Sequence, residues 1–137
     1  MKEFYLESLN EPAFTVMKDV CGVKSGERVL IITNPENNVL QISMALYEAS
    51  VKLGAEATIM VQEEKTLLTY AEKSVIAAIK TKPDVVLSIS SNKLGKDEEG
   101  MKNPYVVDGA EYPHVFDWLL DRKKEIRSFW TPGITVD

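Results

Sequence analysis

The residues whose types and spacing suit chemistry fall in three places. Two short polar runs, Asn34-Pro35-Glu36-Asn37-Asn38 and Ser90-Ser91-Asn92-Lys93, concentrate amides and hydroxyls, the groups that hold a small polar or anionic ligand. His114, Asp117 and Asp121 recur at i, i+3 and i+7, a spacing from which a metal can take two ligands on one helix face. A lone histidine does not make the clustered ligand set that metal sites need, so the same residues read as a helix start and a solvated face. Cys21, the single cysteine, falls on an apolar helical stripe and reads as core. One histidine is enough for a Ser-His-Asp arrangement, but no serine stands in a G-x-S-x-G elbow. Neither a G-x-G-x-x-G fingerprint nor a G-x-x-x-x-G-K-[ST] phosphate loop is present. Asp97-Glu98-Glu99, mixed with Lys93, Lys96 and Lys102, reads as a mobile exposed loop.

The elements that must position these residues alternate between two hydrophobic periods. Asn10-Glu11-Pro12 predicts a helix start with Asn10 as its cap, followed by Ala13, Val16, Met17, Val20 and Cys21 at helical spacing. Arg28 to Thr33 has an apolar centre that does not alternate, as in a strand covered on both faces. Asn38 is the expected cap of a second helix with Ile42, Leu46, Ala49 and Leu53 inward, closed by Gly54. Glu56 to Val61 is a second strand. A third helix places Ala71, Val75, Ala78 and Ile79 inward and stops before Lys82-Pro83. Asp84 to Ser90 is a third strand. Residues 91–112 show no period and are expected to be a polar insertion, with 92–110 the least ordered part. A fourth helix from about Pro113 to Glu125 turns Phe116, Leu119 and Leu120 inward. Arg127 to Trp130 is a fourth strand.

Strands alternating with helices imply a parallel sheet with right-handed crossovers. Order 2-1-3-4 balances two helices on each face, which makes the expected fold a doubly wound, flavodoxin-like α/β domain with a four-stranded parallel sheet. In such a sheet ligands bind beyond the carboxyl ends of the strands where the winding reverses. That point lies between the first and third strands. The candidate ligand-binding residues are therefore Asn34, Glu36, Asn37, Asn38, Ser90 and Ser91, with the positive end of the second helix aimed among them. The same residue types also make ordinary turns and caps.

Composition excludes several classes. The 137 residues carry 16 basic and 21 acidic side chains, a net charge of −5, which argues against a nucleic-acid partner. The Arg122-Lys123-Lys124 run is flanked by acids. With one cysteine there is no internal disulfide or multi-thiolate zinc site, and a reducing, cytoplasmic location is expected. No apolar run reaches the ~20 residues of a membrane span, and MKEFYLESLNEP is not a signal peptide. Residues 1–131 are expected to form one domain. Residues 132–137, where Thr135 reads as a helix cap, look like a linker or the start of a second domain, as in a truncated chain or a proteolytic fragment.

Gly26-Glu27-Arg28-Val29-Leu30-Ile31-Ile32-Thr33-Asn34-Pro35-Glu36 resembles the opening strand of the thermophilic metallo-aminopeptidases of the aminopeptidase T and S type, often labelled leucyl aminopeptidase. Ala45 to Ala49, Leu53 to Val61 and Phe129 to Thr135 are similar to that family's next helix, next strand and the lead into its second domain. The likeness covers about residues 12–92 and 112–137. A dioxygenase of dihydroxypyridine breakdown shares the architecture. The resemblance implies a non-catalytic N-terminal domain that shapes or covers the cleft of a C-terminal catalytic domain, where carboxylates, histidines and a tyrosine hold zinc or cobalt. No catalytic or metal-binding residue is carried onto this chain, which alone is expected to be inactive. Where common members have a Ser-Leu-Thr/Ser-His-Thr run, this chain has Ser91-Asn92-Lys93-Leu94-Gly95. The partner is then the catalytic domain, with a homodimer left open and neither nucleic acid nor membrane expected. The other readings are a stand-alone small-molecule binding module, or the N-terminal domain of a non-peptidase metalloenzyme.

Overall fold

The computed structural model of the chain describes residues 5–66, 68–91, 93–122 and 127–130. In chain order its elements are α1 (Asn10–Thr15), β1 (Arg28–Thr33), α2 (Asn37–Lys52), β2 (Glu56–Val61), α3 (Lys73–Lys80), β3 (Val85–Ile89), α4 (Glu98–Lys102), β4 (Tyr105–Val107), β5 (Ala110–Tyr112), α5 (Val115–Arg122) and β6 (Arg127–Trp130). The fold is α/β around a parallel sheet in which β1 lies between β2 and β3. The register runs from Arg28↔Glu56 to Thr33↔Val61 on one side and from Val29↔Val85 to Thr33↔Ile89 on the other. β6 lies parallel to β3, from Val85↔Arg127 to Ser88↔Trp130.

β1 and β3 are apolar on successive residues because both of their faces are covered, and side chains alternate between those faces. Val29, Ile31, Val85, Leu87 and Ile89 pack with Ala13, Met17, Val39, Ala45, Leu46 and Ala49 of the α1–α2 layer. Leu30, Ile32 and Val86 pack with Val75, Ile76, Ile79, Val115 and Leu119 of the α3–α5 layer. β2 is the edge strand, and its alternating exposure shows it. Gly54 closes α2 at φ +86, the left-handed conformation that favours glycine, with Ser25 packed close against it.

Several local expectations are corrected. Residues 92–110 are not an irregular loop among their described members. They build α4, and β4 pairs with β5 antiparallel from Tyr105↔Tyr112 to Val107↔Ala110. Asp97 is not an exposed loop acid: it is 1% exposed and caps α4 through Gly100 N. The absence of a long period misled because each piece is only three to five residues long. α1 passes into a π-helical turn over Val16–Val20. The extra residue per turn rotates the stripe, so Val20 is 65% exposed while Met17 and Cys21 are buried. Asn10 is the first helical residue and not the cap; its Oδ1 accepts from the Tyr5 hydroxyl at 2.6 Å. Leu120 points outward. Residues 123–126 and 131–137, with the expected helix end and linker, lie outside the described residues. Among the described residues no helix is long and apolar enough to cross a membrane.

Candidate functional site

The carboxyl ends of β1 and β3 lie side by side, and the structure assembles a polar cluster there. Asn34, the residue after β1, is 1% exposed, and its amide bridges the sheet. Nδ2 donates to Gln62 O at 2.9 Å, beyond the end of β2, and Oδ1 accepts from Ser91 N at 2.7 Å, beyond the end of β3. Gln62 extends the bridge: Nε2 donates to Leu94 O at 2.8 Å and Oε1 accepts from Glu72 N at 3.0 Å, at the start of α3. Two amide side chains thus satisfy backbone groups from two strand ends, one helix start and the segment after β3. Each amide is engaged at both its nitrogen and its oxygen, so both serve as framework.

Glu36, rather than Asn38, caps α2. Its carboxylate accepts from Asn38 N and Val39 N, both at 3.1 Å. A carboxylate complements the positive end of α2, so that helix end already carries its anion. Asn37 is exposed and Asn38 half-buried beside it.

The hydroxyls behave differently from the amides. Thr33 is 0% exposed, Ser90 1% and Ser88 2%, and Ser91 is half-buried, yet none of the four hydroxyl oxygens has a hydrogen-bond partner. Strand alternation puts Thr33 on the α2 side with Ile31, and Ser88 on the α3–α5 side with Val86. The predicted residues Asn34, Glu36, Asn37, Asn38, Ser90 and Ser91 are therefore gathered at one end of the sheet. Within that set Asn34 and Glu36 hold the framework, while Ser90 and Ser91 keep free hydroxyls. Sequence reasoning missed Thr33, Gln62 and Ser88. The available signal was a serine inside the buried run Val85-Val86-Leu87-Ser88-Ile89, where a hydroxyl has no packing reason.

A second polar cluster fastens the insertion. Asp97 Oδ1 accepts from Gly100 N at 3.0 Å and Oδ2 from Val115 N at 2.9 Å, so one carboxylate caps α4 and ties down the start of α5. His114 Nε2 lies 2.8 Å from Gly95 O while Nδ1 accepts from Phe116 N at 3.1 Å. The Nδ1 bond makes Nε2–H the donor to Gly95, and both ring nitrogens are engaged. Asp117 is exposed, and the side chain of Asp121 lies outside those described. Tyr105 packs its ring 5.5 Å from that of Trp118, under Lys80 at 5.2 Å. Burial pushes the Tyr105 phenol up, the Asp97 carboxylate adds to this, and Lys80 opposes it. Lys80 is itself raised, chiefly by its 2.8 Å pairing with Glu99.

No family model matches the sequence, and neither does any curated protein. Among solved structures, the chain is similar to a 2,5-dihydroxypyridine dioxygenase from Pseudomonas putida KT2440. The TM-score is 0.55 at 14% identity, covering 90% of this chain and 33% of the dioxygenase. The chain thus spans about a third of the length of that protein. It is also similar, at a TM-score of 0.39 and 20% identity, to a ureidoglycine–glyoxylate aminotransferase from Bacillus subtilis, covering 58% of this chain and 18% of the other. The first likeness concerns the fold alone.

Proposed function

We propose that this chain is the non-catalytic N-terminal α/β domain of a larger metal-dependent enzyme, a metallo-aminopeptidase of the leucyl type, and that it shapes or covers the cleft of a C-terminal catalytic domain. The observation that carries the reading is that almost the whole chain superposes on one third of a much longer enzyme. The resemblance of Gly26–Glu36, Leu53–Val61 and Phe129–Thr135 to the aminopeptidases supports the choice of activity. The parallel pairing of β3 with β6 supports a four-stranded, flavodoxin-like sheet of order 2-1-3-4, wound in both directions from β1. Zinc or cobalt then belongs to the catalytic domain, and no group of three or more metal-ligating side chains occurs among the described residues. The protein acts in the cytoplasm on this reading.

A second reading has its own support, since the superposed structure is a dihydroxypyridine dioxygenase. On that reading the domain serves a non-peptidase metalloenzyme. The protein from the uninterrupted reading frame separates the two. Metal analysis, with parallel assays of leucine p-nitroanilide hydrolysis and of oxygen uptake on 2,5-dihydroxypyridine, is expected to show zinc or cobalt and peptidase turnover. Oxygen uptake without hydrolysis assigns the domain to the second class.

A further inference from the structure

We propose that the open edge of β2 is the dimerisation surface of this chain, where a second copy lays its own β2 antiparallel to the first in one continuous sheet. The inference does not depend on the enzyme class proposed above.

Neighbouring residues of a strand turn their backbone groups to opposite sides. Glu56 N donates to Glu27 O at 2.7 Å and Gln62 N to Thr33 O at 3.0 Å, so the even-numbered residues of β2 face β1. Ala57, Ile59 and Val61 therefore turn their N–H and C=O groups outward, and among the described residues no strand lies on that side. Such edges are ordinarily blunted by lysine, proline or a bulge. Glu56-Ala57-Thr58-Ile59-Met60-Val61 has none of these, and its register with β1 is unbroken. Val61, at its end, is 51% exposed. The crossover helix adds apolar surface on the same side. Gln41 of α2 accepts from Leu6 N, so that flank of the helix meets the N-terminal segment. Leu40, Met44, Tyr47 and Val51 follow one another at helical spacing on the other flank, the side of the β2 edge, with no charge among them. Val51 is 45% exposed there.

The edge is complementary to itself. One antiparallel register uses all three outward residues without setting like charges together. With the two-fold axis at Ile59, Ile59 stands opposite Ile59, Ala57 opposite Val61, Thr58 opposite Met60 and Glu56 opposite Gln62. That register closes about six backbone hydrogen bonds, two for each outward pair. A slip of two residues one way sets Glu56 against Glu64 and Ala57 against Glu63. A slip the other way needs the Ala55 N–H, which already donates to Ser50 O at 3.0 Å. An axis normal to the sheet keeps both α2 helices on one face, with their flanks from Leu40 to Val51 turned toward each other. The contact is then isologous, as in most closed dimers.

The test is sedimentation of the 137-residue chain from about 1 μM to 1 mM, with amide hydrogen exchange at both ends of that range. The mass is expected to rise reversibly from 15.4 kDa to twice that value. Exchange at Ile59 and Val61 should slow as it rises, while exchange at Met60, which faces β1, stays the same. Thr58→Lys places a lysine at an exposed position of the edge, and Val61→Pro removes an outward N–H without touching a bond to β1. Each should weaken dimerisation at least about tenfold with the dilute chain still folded. Thr58 is exposed, so its variant keeps the test open if the proline variant fails to fold. The proposal is overturned by a chain that stays at 15.4 kDa throughout, by a dimer that Thr58→Lys leaves as strong as before, or by dimerisation without slower exchange at Ile59 and Val61. Slow exchange at both residues in a longer protein that stays monomeric would give the edge to another part of the same chain and also overturn it.

Discussion

Two buried polar clusters of this molecule look alike in sequence and differ in kind. Around Asp97 the carboxylate accepts from the backbone N–H of Gly100 and of Val115, which fastens α4 to α5, and the Tyr105 phenol beside it is the one buried group there with no hydrogen-bond partner in the structure. At the carboxyl ends of β1, β2 and β3 the amides of Asn34 and Gln62 each donate and accept, but four hydroxyls of β1, β3 and the segment after it have no partner. A satisfied cluster is structural, and truncating it strands its partners. An unsatisfied hydroxyl is a net cost to the fold, and removing it relieves that cost. The difference separates the bonded carboxylate and amides from the unpartnered hydroxyls, which are four at the ends of β1 and β3 and one, that of Tyr105, beside Asp97.

The largest expected effect is at Asp97. Asp97→Ala strands two buried backbone donors and removes charge-assisted bonds, so it should destabilise by about 3 kcal/mol, read from urea unfolding. A loss below about 1 kcal/mol would make the two clusters energetically alike and break the comparison. Asn34→Ala should cost about 2 kcal/mol, because Ser91 N and Gln62 O lose their buried partner. Glu36→Ala removes only a helix cap at an exposed position, and about 1 kcal/mol is expected.

The hydroxyls should go the other way. Ser88→Ala is expected to leave the unfolding midpoint unchanged or to raise stability by up to about 1 kcal/mol. A clear loss would show that Ser88 Oγ is satisfied in the folded protein. The smallest effect concerns pH. Tyr105 has a raised pKa in the fold, so the folded state favours the protonated phenol. Its contribution is fully present below the ordinary value of 10.0 and is lost as pH rises through and above it. Thermal melts from pH 8 to 11 should show an alkaline decline that is shallower in Tyr105→Phe.

Much of the fold is legible from the sequence because β1, β3 and α2 carry long, unambiguous hydrophobic patterns. The doubly covered run at 28–33 and the stripe Leu46, Ala49, closed by Gly54, are local signals of non-local packing. The insertion was not legible for the opposite reason. α4, β4 and β5 are too short for a period, and what orders them is one aspartate reaching from residue 97 to residue 115. Sequence spacing cannot announce that contact. The candidate site was half legible. Ser90 and Ser91 stand out because a strand ends in hydroxyls, whereas Thr33 and Gln62 look like ordinary strand-end residues until β1, β2 and β3 are laid side by side. At 114, 117 and 121 the helical spacing was real, but the ring of His114 is occupied by the backbone on both sides.

On the proposed reading this chain is a domain that lends shape to an active site held elsewhere. The most direct measurement is zinc- or cobalt-supplemented hydrolysis of leucine p-nitroanilide by the 137-residue chain, alongside the protein made from the uninterrupted reading frame. The account predicts no turnover by the chain and metal-dependent turnover by the longer protein. Turnover by the chain alone that survives purification and disappears in His114→Ala would contradict it.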